Sequence, residues 1–242
     1  MKRRRATKLT ETLLSTKAKP KRITSAVRIL GNLRQEIMTL QRPPGSAINE
    51  KEIATAYSVS RTPVREALLK LSEEGLVDIF PQSGTFVSRI PLFALRENIV
   101  VRQALEMMSA RLAAANANEE TCLQLDETMR QIKLAAETAD NNMFHEADEA
   151  FHAIIADIAG YPALWRISQS VKSQMDRCRR LTLPQAGRLQ RIISEHQSVV
   201  DAIRKKDAEA ASRQMAEHLE KLIADLDGIR DLDPDYFISD PQ

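Results

Sequence analysis

The chain has 242 residues, 43% hydrophobic, 28% charged and 4% aromatic, enough apolar material for one large or two ordinary domains. Nothing in it resembles a membrane span of roughly 18 apolar residues or a secretory signal, and two cysteines are too few for a disulfide framework or a four-cysteine zinc site, so the expected setting is the cytoplasm. The net charge of +2 divides unevenly: residues 1–90 hold 17 Lys and Arg against 8 Asp and Glu, and residues 91–242 hold 18 against 25.

A basic segment joined to an acidic one suggests a polyanion-binding module with a second module attached. Charge does not establish this alone, because residues 2–22 carry nine of the basic side chains and residues 23–90 are nearly balanced at 8 to 7. Residues 1–22 read as a flexible basic arm. From Ile23 to Leu40, Val27, Ile29, Leu30, Leu33, Ile37 and Leu40 recur near the helical period, and Pro43-Pro44-Gly45 ends the helix. Asn49 is an N-cap for a short helix, Glu50–Tyr57. After a turn at Ser58-Val59, Ser60 is a second N-cap, for a helix that buries Val64, Leu68 and Leu71 and stops at Gly75. Pro63 falls in its first turn, where a missing N–H does no harm. Two β-prone stretches, Leu76–Phe80 and Thr85–Ser88, follow across Pro81-Gln82-Ser83-Gly84. Residues 23–90 therefore read as a winged helix-turn-helix.

Arg61, Thr62 and Arg65 project from the start of the second short helix, the end of a recognition helix that meets base edges. Arginine can donate two hydrogen bonds to guanine, and threonine with the helix N-terminus can hold phosphate. Standing alone, the two arginines read first as surface charges paired with nearby glutamates.

Residues 94–230 read as an all-α module, with helices near 94–117, 119–138, 142–159, 162–182, 187–205 and 207–227. Short breaks between them imply an antiparallel bundle of six to seven helices. Three of the four histidines lie on apolar faces. His196 sits within Leu189, Ile192, Ile193, Val199, Val200 and Ile203, and His218 within Met215, Leu219, Leu222 and Leu226. His152 follows Asp148 by one turn beside Phe144, Phe151, Ile155 and Ile158. Asp148 and His152 point the same way, and one carboxylate with three imidazoles on facing helices suits a divalent metal. Each histidine singly also reads as a hydrogen-bonded core residue, and His145 competes for the same site. Arg177, Arg179 and Arg180 could add positive charge there but read first as a solvated face, and Trp165 reads as core packing.

The segment P-P-G-S-A-I-N-E-K-E-I-A-T-A-Y-S-V-S-R-T-P-V-R-E-A-L-L-K-L-S-E-E-G-L-V, followed by P-Q-S-G-T-F-V, resembles the DNA-binding domain of GntR-family transcription regulators. The resemblance implies DNA contacts by Lys51, Arg61, Thr62, Arg65 and Gly84. Where Lys51 stands the family often has arginine, so a phosphate contact replaces base reading there. D-E-A-F-H-A-I-I, S-E-H-Q-S-V-V-D-A-I and A-E-H-L resemble the all-helical FCD effector-binding domain of the FadR subgroup. That likeness implies a metal held by Asp148, His152, His196 and His218, leaving His145 out; zinc suits the donors first, with nickel or manganese as alternatives. Tyr161 departs from the family's usual asparagine.

V-R-Q-A-L-E also resembles the FCD opening. It places Arg102 and Glu106 one turn apart beside Val101, Leu105, Met108 and Leu112, as an intrahelical ion pair or with Arg102 clamping a metal-bound carboxylate. The expected protein is a homodimeric repressor of a palindromic operator, responsive to a small organic acid and without catalytic residues. Its rivals are a metal-dependent enzyme acting on such an acid and a regulator that senses the metal itself.

Overall fold

The computed structural model describes residues 24–138, 140–229 and 234–238. The expected basic arm lies outside them, as does the side chain of Leu226. The architecture is mainly helical, a winged helix-turn-helix followed by an all-helical module. No helix among the described residues is long and apolar enough to cross a membrane.

Helix α1 (Ser25–Met38) starts where Thr24 accepts from the Val27 amide, and it buries Ile29, Leu33 and Ile37. Val27 is half exposed rather than part of that stripe, since at about 100° per residue it falls roughly opposite Ile29 and Leu33. Asn49 accepts from the Lys51 and Glu52 amides and so satisfies donors that α2 (Glu50–Ala56) leaves open. Ser60 has the extended backbone of an N-cap before α3 (Arg61–Glu73), yet its side chain makes no capping bond. Its position is that of a cap, without the side-chain bond a capping serine was expected to make.

After Gly75, whose φ of +69° a side chain rarely adopts, strands β2 (Val77–Phe80) and β3 (Gly84–Val87) form the wing. Strand β1 (Ala47–Ile48) adds to the outer side of β3, giving the antiparallel order β1-β3-β2. Ile29, Leu33, Ile37, Ile53, Val64, Leu68, Leu71, Val77 and Val87 close one core beneath the three helices.

Strand β4 (Ile90–Pro91) leads into α4 (Leu92–Asn116), followed by α5 (Glu119–Glu137), α6 (Asn141–Ile158), α7 (Pro162–Val171), α8 (Ser173–Thr182), α9 (Arg188–Arg204) and α10 (Ala208–Ile229). The expected single helix over 162–182 is thus two, interrupted at Lys172, where no proline or glycine marks the break. Phe144, Phe151, Ile155, Ile192, Val199, Met215 and Leu219 lie in the second core. Helix α4 turns Ile99, Arg102, Glu106 and Ser109 inward and leaves Val101 and Met108 exposed. The stripe expected from Val101 to Leu112 therefore faces mostly away from the core. Apolar side chains stand on several sides of this helix, so spacing alone does not choose a face.

The two modules meet along α8. Gln174 Nε2 donates to the Gly75 carbonyl at 2.7 Å, and Arg177 Nη2 donates to the Ser88 carbonyl at 2.7 Å. Arg177 is completely buried, and desolvation pushes its guanidinium down to about 10. Arg179 is buried too and Arg180 half-buried, so the expected solvated arginine face is an internal one. At the linker, β4 pairs in parallel with a short C-terminal strand, β5 (Phe237–Ile238), setting Ile90 against Phe237 and Pro91 against Ile238.

Truncating Leu68, which is 1% exposed, should lower the stability of the winged module by about 2–5 kcal/mol, the usual range for Leu→Ala in a core. Urea denaturation followed by circular dichroism checks this; an unchanged first transition in Leu68→Ala would contradict the packing described.

Candidate functional site

Three helices of the second module carry polar groups into its apolar centre. Asp148 and His152 lie one turn apart on α6, His196 comes from the middle of α9, and His218 from α10. Their candidate ligand atoms all lie within 4.8 Å of one another. His196 Nε2 is 3.2 Å from His218 Nε2 and 3.5 Å from Asp148 Oδ1, while His152 Nε2 is 3.8 Å from Asp148 Oδ2. All four residues are buried.

The outer nitrogens explain the orientation. His152 Nδ1 stands 2.6 Å from Glu106 Oε2, and His218 Nδ1 is 2.8 Å from Glu195 Oε2. An ionised carboxylate can only accept, so it selects the tautomer with the proton on Nδ1 and turns the Nε2 lone pair inward. Phe151 stacks on His196 with ring centroids 4.0 Å apart. Burial, then the neighbouring His218, hold His196 well below its ordinary range. Burial also lowers His218, against the opposing pull of Glu195. Neutral imidazole is the ligand form.

The donor set fits a divalent cation. His152 Nε2 is buried without a hydrogen bond, and two imidazole Nε2 atoms 3.2 Å apart can share only one proton between them. His145 does not join this group; it lies with Glu149 and Asp176 in a separate cluster, where burial pushes it down to about 4.

Arg102 is wholly buried. Its Nε donates to Glu106 Oε1 at 2.5 Å, while Nη1 and Nη2 have no hydrogen-bond partner. The intrahelical pair is therefore present, but in the interior rather than on a solvated surface. Glu106 also accepts from Ser168 Oγ at 2.7 Å, so one carboxylate ties α4 to α7 and faces His152. Burial by itself would raise Glu106, yet Arg102 and His152 hold it far below the usual carboxylate range.

Arg179 approaches Asp148 with two nitrogens, Nη2 at 2.6 Å from Oδ1 and Nη1 at 2.6 Å from Oδ2. Burial again opposes ionisation, and Arg179 with the imidazoles outweighs it, holding Asp148 well below its ordinary value. Glu106, Glu195, Ser168 and Arg179 were not expected at the site. Glu195 beside His196 and Glu106 one turn from Arg102 were visible hints; nothing local marks Arg179. Trp165, expected in the core, is half-buried beside His152 with the Lys172 ammonium 5.7 Å from its ring centroid, and Tyr161 is exposed.

The winged module presents a separate polar face. Lys51 lies in the first turn of α2, and Arg61 and Thr62 open α3, all exposed. Arg65 is exposed as well, with Nε donating to Glu50 Oε2 at 2.9 Å. An exposed pair of this kind contributes little and can yield to phosphate or a base edge. Gly84 sits at the wing with φ +121°, and a Cβ there would meet the Phe86 ring at 3.4 Å.

Residues 25–87 match the bacterial regulatory proteins of the gntR family, and residues 97–221 match the FCD domain. The HTH-type transcriptional repressor RspR of Escherichia coli (strain K12) is 33% identical over 205 residues, which cover 85% of this chain and 90% of that protein. An HTH-type transcriptional regulator in an unstable DNA locus of Streptomyces ambofaciens is 33% identical over 208 residues, covering 86% and 87%. Among solved structures, E. coli McbR/YncC superposes with a TM-score of 0.70 at 22% identity, over 85% of this chain and 98% of that one. The winged helix-turn-helix, the helical module behind it and these full-length likenesses agree: the chain belongs to the GntR family of DNA-binding transcriptional regulators, carries an FCD domain, and is not an enzyme.

Proposed function

We propose that this regulator is a homodimeric repressor whose helical module binds a divalent metal and a small organic acid, and that the acid changes its grip on a palindromic operator. The observation that carries the reading is the buried Arg102, whose two terminal amino groups have no hydrogen-bond partner and which shares Glu106 with His152 of the histidine cluster. Unpaired buried donors of this kind are costly, and a carboxylate supplies the planar acceptor pair that a guanidinium fork matches. Asp148, His152, His196 and His218 would hold the metal. Zinc is the first choice for three imidazoles and a carboxylate, with nickel or manganese as alternatives. When bound, the cation offers a Lewis-acidic position to a carboxylate oxygen.

Arg61, Thr62 and Arg65 would enter the major groove, Lys51 would hold phosphate, and the wing at Gly84 would lie near the adjacent minor groove. Two half-sites require a two-fold. Val100, Val101 and Met108 on α4, with Ile167 on the neighbouring α7, are exposed apolar residues that support pairing through this side. Helix α8 supports a coupling route, because it reaches Asp148 through Arg179 and the winged module through Arg177 and Gln174. A ligand alters DNA affinity only by favouring one arrangement of these contacts over another.

In fluorescence-anisotropy titrations, Arg61→Ala should narrow the gap between operator and random DNA by about 1–3 kcal/mol, the range for one good bidentate base contact; an unchanged ratio contradicts the recognition role. His196→Ala and His218→Ala should each drop metal content below one ion per chain, measured by elemental analysis after dialysis, and full occupancy in both would defeat the ligand set. Arg102→Ala should retain the metal while weakening a stabilising acid, found by thermal-shift screening of the metal-loaded protein, by about 1.5–3 kcal/mol, the scale of a charged hydrogen bond. Unaltered acid titration would remove Arg102 from the site.

A further inference from the structure

Asp148 faces two calls on one carboxylate. Both of its oxygens are met by Arg179 at 2.6 Å, and the same oxygens lie 3.5 Å from His196 Nε2 and 3.8 Å from His152 Nε2. Neither residue has access to water: Asp148 is 0% exposed and Arg179 is 2% exposed. Arg179 is therefore more than a bystander to the histidine cluster. It occupies the one anionic group that the cluster contains.

The charges around it are paired. Arg102 faces Glu106, Arg179 faces Asp148, and nearby Lys172 faces Glu149 and Asp176, with Glu195 outside the cluster already engaged by His218 and Lys221. A divalent cation among the imidazoles leaves this interior with a surplus of positive charge, which is unfavourable where no water can screen it. Arg179 then shares or loses its partner while remaining buried. Its Nε has no hydrogen-bond partner in the first place, so the guanidinium has donors to offer to an incoming anion.

We propose that Arg179 is a second acid-binding residue, distinct from Arg102: it neutralises Asp148 in the unliganded protein and passes to the acid's carboxylate when Asp148 becomes a metal ligand. This rests on the metal and acid reading above. It adds a specific linkage, because a single guanidinium that competes with the metal and attracts the acid makes the two ligands bind together. Arg179 acts by position and charge, and a lysine in its place keeps the charge but loses the fork.

The test is the affinity for Zn²⁺, by competition with a chromophoric chelator, with and without millimolar acetate, in wild type, Arg179→Met, Arg179→Lys and His196→Ala. Thermal denaturation first establishes which variants fold. In wild type, acetate should tighten Zn²⁺ binding by about fivefold or more, the lower end of ordinary coupling. Arg179→Met should bind Zn²⁺ more tightly than wild type without acetate and gain less than wild type from adding it, because the cation and Arg102 still offer contacts to the acid. Arg179→Lys should fold and show a reduced acetate effect, which decides the matter if the methionine variant does not fold. No acetate effect in wild type, Zn²⁺ binding no tighter in Arg179→Met, or an undiminished acetate effect in the variants that fold would overturn the proposal. If His196→Ala instead binds Zn²⁺ as wild type does, the metal site itself is misassigned, a failure separate from that of Arg179.

Discussion

A carboxylate removed from water must be met by positive charge or by donors, and Asp148 imposes that requirement on the helical module. It is completely inaccessible, and it draws Arg179 from α8, His196 from α9 and His152 from its own helix into one small volume. Hydrophobic packing around Phe144, Phe151, Met215 and Leu219 brings the helices together but does not by itself select one rotation for each. Polar partners do, because an unmatched charge in this interior is far more costly than a displaced methyl group. Glu106 and Glu195 extend the same logic outward, each fixing one imidazole by its outer nitrogen.

Helix α8 gives this centre a mechanical neighbour. Within ten residues it places Arg179 on Asp148, Arg177 on the Ser88 carbonyl and Gln174 on the Gly75 carbonyl. The last two acceptors follow the wing strand and the recognition helix, so one short helix contacts both the winged module and the histidine cluster. Arg177 is completely buried at this contact, and desolvation lowers its pKa to about 10.

Much of this is legible in the residues themselves. His196 and His218 announce themselves because each interrupts an apolar stripe at helical spacing, and Asp148 with His152 is readable from a four-residue interval. The winged module is readable from Asn49, Pro63, Gly75 and Gly84, residues whose local chemistry restricts the backbone. What stays hidden depends on tertiary contact. The two-residue strands β1, β4 and β5 are too short to carry a period, and Lys172 interrupts a helix without any breaker residue. M-D-R-C-R-R has the composition of a solvated surface, and only distant partners show why two of its arginines are inside: Asp148, 31 positions from Arg179, and the Ser88 carbonyl, 89 positions from Arg177. Val27 and Val101 err in the opposite sense, since an apolar residue at the right interval still needs a neighbour to cover it.

The parallel pairing of Ile90 and Pro91 with Phe237 and Ile238 fastens a late segment of the chain to the linker between the winged and the helical module. The segment that joins the winged module to α4 is thereby held by a stretch more than 140 positions away along the chain. A change at Phe237 or Ile238 is accordingly also a change at the start of the helical module, because the two short strands share one ladder.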